Sequence, residues 1–182
     1  HMDALEQLTI PLLIWYRENK RDLPWRRDPT AYHVLVSELM LQQTRVEAVK
    51  PYFERFLAAL PTVSDLACAP EEQLLKLWEG LGYYSRARNL QKAARIMAER
   101  HGGEVPASYE ELLALPGIGE YTAGAISSIA FGIPVPAVDG NVLRVVSRLS
   151  ADDWDIGNPA LKKDVAARLR RILPDGRAGD FN

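Results

Sequence analysis

The sequence predicts an all-α protein, and three observations lead there. Apolar residues recur at helical spacing, signals that start and stop helices punctuate the whole chain, and strand-like alternation is almost absent. Leu5, Leu8, Leu12, Trp15 and Tyr16 share a face and predict a first amphipathic helix, which ends before a loop, KRDLPWRRDPT. Ala31 to Thr44 predict a second helix, apolar almost all round and therefore central. Pro51 opens or interrupts a third, carrying Tyr52, Phe53, Phe56 and Leu57, and Pro61 ends it. Pro70 reads as the first position of the next helix, with Glu71 and Glu72 in its first turn and Leu74, Leu75, Leu77 and Trp78 behind them. Gly80 and Gly82 stop it. Leu90, Ala93, Ala94, Met97 and Ala98 then mark a helix from Ser85, closed by Gly102 and Gly103.

Ser108 and Glu111 have the spacing of a capping box for SYEELLAL. LPGIG breaks that helix, and EYTAGAISSIAFG resumes with small residues that permit close packing. The prolines of GIPVPAVDG interrupt the chain before a helix from Asn141 to Leu149. Asn158-Pro159 starts another, with Leu161, Val165, Leu169 and Ile172 on one face and Pro174 as its stop. GRAGDFN has the look of one more helix beginning, with Asp180 as its N-cap.

At 182 residues and 47% hydrophobic content, the chain suits one domain or two closely packed lobes. His1 ahead of Met2 reads as a cloning remnant, and DALEQ is too polar for a secretory signal. Ala123 to Val138 is the longest apolar stretch, but its serines, glycines and prolines leave it short of a membrane span. The expectation is a cytoplasmic protein with no membrane partner. Cys68 is the only cysteine, so no disulfide, iron–sulfur cluster or zinc ribbon can be built from these residues alone. A net charge of -2 does not advertise a nucleic-acid binder, so any phosphate-binding face must be local.

Within the apolar run LVSELMLQQT, Glu38 is conspicuous. Such a carboxyl is either paired with a buried arginine or used, because ionising it away from water is costly and favours the neutral acid. Asp139 stands where a helix N-cap belongs, and backbone N–H groups there favour an anion. Two carboxyls biased in opposite directions suit acid-assisted cleavage of a glycosidic bond. Gly117 and Gly119 in LPGIGEYTA either form an ordinary capped turn or free backbone N–H groups to hold a phosphate at a helix start. Gln42 and Gln43 are the polar exit of their helix or amides for a gap in a base stack. GLGYYSRARNLQK mixes tyrosines with Arg86, Arg88 and Lys92, as either a solvated basic face or a stacking and phosphate-binding one. Trp25 and Arg26 are core and surface residues or a wall and donor for a purine. His33 and His101 have no metal-like partners.

Taken together, LPWR, SELMLQQT, PYFERF, WEGLGYYSRARNLQKAA, LPGIGEYTAGAI and VPAVDGNVLRV resemble the MutY-type adenine DNA glycosylases of the helix-hairpin-helix superfamily. The resemblance runs from about Leu23 to Leu149 and resumes at GDFN. It implies a monomeric enzyme that removes adenine opposite 8-oxoguanine or guanine from double-stranded DNA, with no metal in the chemistry, in a nucleoid-associated setting. By position, Glu38 matches the general acid and Asp139 the carboxylate beside the sugar, while Tyr121 and Asn141 match residues that support them. Gln42 and Tyr84 resemble residues that enter the stack, with Gln43 and Arg86 beside them, and Trp25, Arg26 and Leu41 match an adenine pocket. Gly117 to Gly119 match the phosphate anchor. Tyr121 stands where lyase-type relatives carry a nucleophilic lysine, which implies a monofunctional enzyme. Family members continue into four cysteines that hold a 4Fe-4S cluster and then a lesion-reading domain. The sequence contains neither, so the resemblance implies a six-helix lobe over residues 28–134, part of a second lobe from 1–27 and 135–182, and a truncated chain.

Overall fold

A computed structural model describes residues 7–138, 140–150, 159–173 and 178–182. Among them the chain is all-α, with α1 (Thr9–Asn19), α2 (Pro24–Arg27), α3 (Ala31–Leu41), α4 (Val46–Ala59), α5 (Val63–Cys68), α6 (Glu71–Trp78), α7 (Ser85–Arg100), α8 (Tyr109–Leu113), α9 (Glu120–Phe131), α10 (Gly140–Ser150), α11 (Pro159–Ile172) and α12 (Ala178–Phe181). The predicted class therefore holds.

Helix α3 is central because it has almost no polar side. Val34, Leu35, Val36, Leu39 and Met40 are all buried, and Ser37 hides its hydroxyl by bonding back to the Val34 carbonyl at 3.0 Å. Around it, Phe53 and Phe56 of α4, Leu66 of α5, Trp78 of α6, Leu90 and Met97 of α7 and Ile126 of α9 complete one hydrophobic core. Thr30 starts α3 by accepting from the His33 amide at 3.2 Å. A second, smaller core gathers Leu13, Val138, Leu143, Val146, Val165, Leu169 and Phe181. Helix α12 packs on both α9 and α1 and so joins the two cores.

Two short helices escape a reading based on periodicity. KRDLPWRRDPT contains α2, entered by Pro24 after an extended Leu23. Helix α5 opens on a capping box in which Thr62 and Asp65 bond each other's backbone amides, each at 3.2 Å. At the end of the chain Asp180 lies inside α12 and does not cap it. Other details differ. Pro51 sits within α4, and Pro70 is the N-cap of α6 with Glu71 as its first residue. Ser108 accepts from the Glu111 amide at 3.3 Å, but its hydroxyl faces the carboxylate of Glu110. Helix α1 buries Leu13, leaving Ile10, Ile14 and Trp15 exposed, because its docking site is the second core and not the first. Leu5, assigned to that helix, lies outside the described residues, as do Asp139, Asn158 and Pro174.

Tyr32 gives a pH dependence that can be measured. Burial pushes its phenol well above the usual tyrosine value of 10.0, and its hydroxyl donates to the Leu60 carbonyl at 2.7 Å. The folded state thus holds this proton more tightly than the unfolded chain. Stability from this group should be intact below pH 10.0 and fall as the pH rises above it. Chemical denaturation across that range should show Tyr32→Phe losing about 1 kcal/mol at neutral pH, with a shallower alkaline decline than the parent.

Candidate active site and nucleic-acid interface

The face of α3 that carries Glu38 turns toward α9. Glu38 is half-buried, less enclosed than the helix's apolar sequence implies. One turn on, Gln42 Nε2 donates to Thr122 Oγ1 of α9 at 3.5 Å, and α3 and α9 pack along their length. Residues four apart share a helix face, so Glu38 lies on the same side of α3 as Gln42, and Tyr121 stands in the first turn of α9 beside Thr122. Tyr121 is 36% exposed and lines a cavity of about 230 Å³ with Glu120, Val138, Lys163 and Arg170. The segment leading to Asp139 crosses α9 closely: a Cβ on Gly124 would meet the Pro136 carbonyl oxygen at 2.9 Å. Val138 is buried in the second core beside the start of α10. Asp139 itself lies outside the described residues, while Asn141 is exposed and accepts from Arg144 at 2.7 Å.

The hairpin between α8 and α9 shows two glycines with different reasons to be glycine. Gly117 has φ +77, and a Cβ there would meet the Asn89 Cβ of α7 at 2.8 Å. It is needed for the turn and for seating the hairpin on α7. Gly119 is extended at φ -93, and a Cβ there would find nothing within 4 Å. The fold does not demand glycine at 119. No side chain caps α9, which begins with the Ala123 amide bonded to the Gly119 carbonyl at 2.9 Å. The result is an open, unhindered helix start of the kind that favours an anion.

Two loops project exposed side chains with strained backbones. Gln43 (φ 57) and Tyr83 (φ 48) are the non-glycine residues with positive φ among those described, a conformation costing roughly 1 kcal/mol or more each. Gln43 is exposed and Tyr83 is 63% exposed. By contrast Gln42 is half-buried and bonded to Thr122, and Tyr84, with an ordinary φ of -60, directly precedes α7. Gln43, Tyr83 and Tyr84, the last 37% exposed, all present surface outward, and Gln43 and Tyr83 are the two held at positive φ. Tyr83 is absent from the candidates drawn from sequence, although Gly80 and Gly82 just before it, with φ 99 and 75, mark a loop that throws the next residue out.

Arg86 requires a correction. Expected on a DNA-binding face, it is 7% exposed, and its guanidinium donates to backbone carbonyls. The reason is spacing: it shares the buried face of α7 with Leu90, Ala93, Ala94 and Met97. Arg88 pairs with Glu71 at 3.0 Å, which leaves Lys92 as the exposed cation of that stretch with no such tie. Trp25 is buried edge-on to Phe53 with ring centroids 5.4 Å apart, whereas Arg26 is exposed and lies over the Tyr16 ring at 5.7 Å. Leu41 is half-buried on the last turn of α3 against the first core.

The family description "HhH-GPD superfamily base excision DNA repair protein" matches residues 36–174, a span that takes in the second half of α3 with Glu38, the hairpin and α10. The chain belongs to the HhH-GPD superfamily. Among its relatives, human adenine DNA glycosylase is 47% identical over 180 residues, covering 94% of this chain and 33% of the human protein. That of Buchnera aphidicola from Acyrthosiphon pisum is 38% identical over 172 residues, covering 94% of this chain and 49% of its own. The chain thus spans between a third and a half of these relatives. Of solved HhH-GPD-like structures, a thermostable thymine-DNA glycosylase superposes with a TM-score of 0.86 at 26% identity, covering 98% of this chain and 82% of that one. A non-covalent endonuclease III–DNA complex gives 0.79 at 28% identity, covering 99% and 83%. No helix among the described residues of this superfamily member is long and apolar enough to cross a membrane. Its only thiol, on Cys68, is exposed at the end of α5, so these residues do not fit a cluster held by several thiolates.

Proposed function

We propose that the chain is the catalytic core of a monofunctional adenine DNA glycosylase, acting on adenine opposite 8-oxoguanine or guanine in duplex DNA. The observation that carries this is the 47% identity to a protein named adenine DNA glycosylase, extending across the helix that bears Glu38 and the hairpin that bears Tyr121. Adenine leaves the stack at a cost of a few kcal/mol, which is smaller at a mismatch. Glu38 transfers a proton to a ring nitrogen of the base, the glycosidic bond breaks toward the base, and positive charge grows on the sugar. The anionic Asp139 stabilises that charge until water adds to the sugar carbon and gives up a proton that restores the Glu38 acid, leaving an abasic site and free adenine. Tyr121 and Asn141 support the two carboxyls, Trp25, Arg26 and Leu41 shape the base pocket, and the uncapped start of α9 holds a phosphate.

The test is direct. Incubation with a duplex carrying adenine opposite 8-oxoguanine, then heating in alkali, should give scission at the adenine; an intact strand after binding overturns catalysis by this chain. Scission before alkali, or a borohydride-trapped adduct, would overturn the monofunctional assignment and implicate Lys163, the lysine that lines the cavity with Tyr121. A second reading, removal of thymine, is favoured by the fold similarity to a thymine-DNA glycosylase. Excision from a thymine mismatch in preference to adenine would select it.

Gly119→Ala isolates the phosphate contact. Because a Cβ there meets nothing in the protein, its melting temperature should match the parent's. Duplex affinity should fall by about tenfold, as expected for losing one charge-assisted contact, and a binding titration against salt checks it.

A further inference from the structure

Arg86 makes an unusual set of bonds for one side chain. Nη1 donates to the carbonyls of Leu39 (3.1 Å), Met40 (2.8 Å) and Gln42, while Nη2 donates to Thr44 Oγ1 (3.2 Å) and to the carbonyls of Leu81 (3.3 Å) and Gly82 (3.1 Å). Its plane lies over the Trp78 and Tyr83 rings, with centroids at 5.4 and 5.7 Å, and its amide donates to the Tyr83 carbonyl at 3.0 Å. These partners fall into three groups. Leu39 and Met40 form the last turn of the helix that carries Glu38, where a cation complements the free carbonyls. Gln42 and Thr44 flank Gln43 on either side. Gly82 precedes Tyr83. One guanidinium thus reaches both positive-φ residues, which lie in loops far apart in sequence, and the end of α3 that sets their height relative to Glu38.

We propose that Arg86 is a positioning residue for insertion into DNA, holding Gln43 and Tyr83 as a two-pronged wedge at a set distance from the catalytic helix. It touches neither substrate nor reacting atoms. Each loop also has a local tie, Thr44 Oγ1 to the Gln42 carbonyl at 3.5 Å and Trp78 Nε1 to the Gly82 carbonyl at 3.2 Å, but of these groups only the Arg86 guanidinium bonds both loops, and without it each would relax toward negative φ, withdrawing its side chain. Only a planar, multiply donating group can serve both loops at once. Lysine keeps the charge but, with a single ammonium nitrogen, cannot span six acceptors. The inference rests on the DNA-binding reading above.

The experiment uses the whole chain with a duplex carrying 2-aminopurine beside the mismatched adenine, whose fluorescence rises when the stack is opened. In the parent the signal should rise. In Arg86→Lys it should fall about tenfold while salt-dependent, non-specific binding stays within about threefold. Tyr83→Ala should lose a similar amount, and the double variant no more than either alone, because both remove the same wedge. Thr44→Val, which deletes the bond from Arg86 and the hydroxyl's own bond to the Gln42 carbonyl, should fold like the parent and lose part of the signal, so it decides the matter if Arg86→Lys melts below the assay temperature. A full signal in Arg86→Lys or Thr44→Val, or losses that multiply in the double variant, would overturn the positioning role and leave DNA binding standing. No signal from the parent would overturn the functional reading and the clamp's role with it.

Discussion

Glu38→Gln should lower single-turnover excision of adenine by about 10²–10⁴-fold, the range for removing a positioned general acid. The amide has the shape of the carboxyl, so the half-buried site on α3 keeps its packing, but it has no acidic proton to give. Duplex affinity and the 2-aminopurine signal should stay near those of the parent, because the wedge loops and the hairpin are untouched. That combination, extrusion without bond cleavage, separates loss of chemistry from loss of binding. Quenched-flow or manual time courses with enzyme in excess over DNA would measure it. An unchanged excision rate would remove Glu38 from the mechanism.

Gly117→Ala should be the most damaging single change in the hairpin. The new methyl would need φ +77 and would arrive 2.8 Å from the Asn89 Cβ, so either the turn opens or the hairpin lifts from α7. Left-handed strain alone costs an L-residue about 1–2 kcal/mol, and the overlap adds to it. For a protein of this size a loss of about 2 kcal/mol corresponds to a fall in melting temperature of roughly 4–8 °C. Thermal denaturation followed by circular dichroism checks this against Gly119→Ala, for which no fall is expected. Equal melting of the two would show that the turn tolerates a side chain at 117.

These contrasts show what the sequence made legible. Long helices such as α3, α7 and α11 were readable because each displays an apolar face over several turns, with caps and breakers at its ends. Helices α2 and α5 were not, because four and six residues are too few to show a period. On α1, Leu8 and Leu12 pack on the second core as the expected face requires, together with Leu13, while Trp15 stays exposed, because only the position of that core decides which apolar residue is covered. In the site, Glu38 stood out as a charge in an apolar run, a local signal. Arg86 did not, since arginine beside tyrosine suggests a nucleic-acid surface, yet its place four residues before Leu90 on a buried face was visible in the spacing. Tyr83 was not singled out beside Tyr84, because the positive φ that sets it further out is a backbone property its residue type does not announce, and both tyrosines are exposed.

The last residue of the chain has an effect far from its own position. Asn182 offers its side-chain amide to residues 135–137 much as an adjacent β-strand would, giving Nδ2 to the Val135 carbonyl at 2.8 Å and taking the Ala137 amide at 3.2 Å. The proline-rich ribbon that delivers position 139 is therefore moored from below by a group 45 residues downstream in sequence. A substitution of Asn182 releases both bonds to the ribbon, so a change far along the sequence loosens the segment that leads to α10.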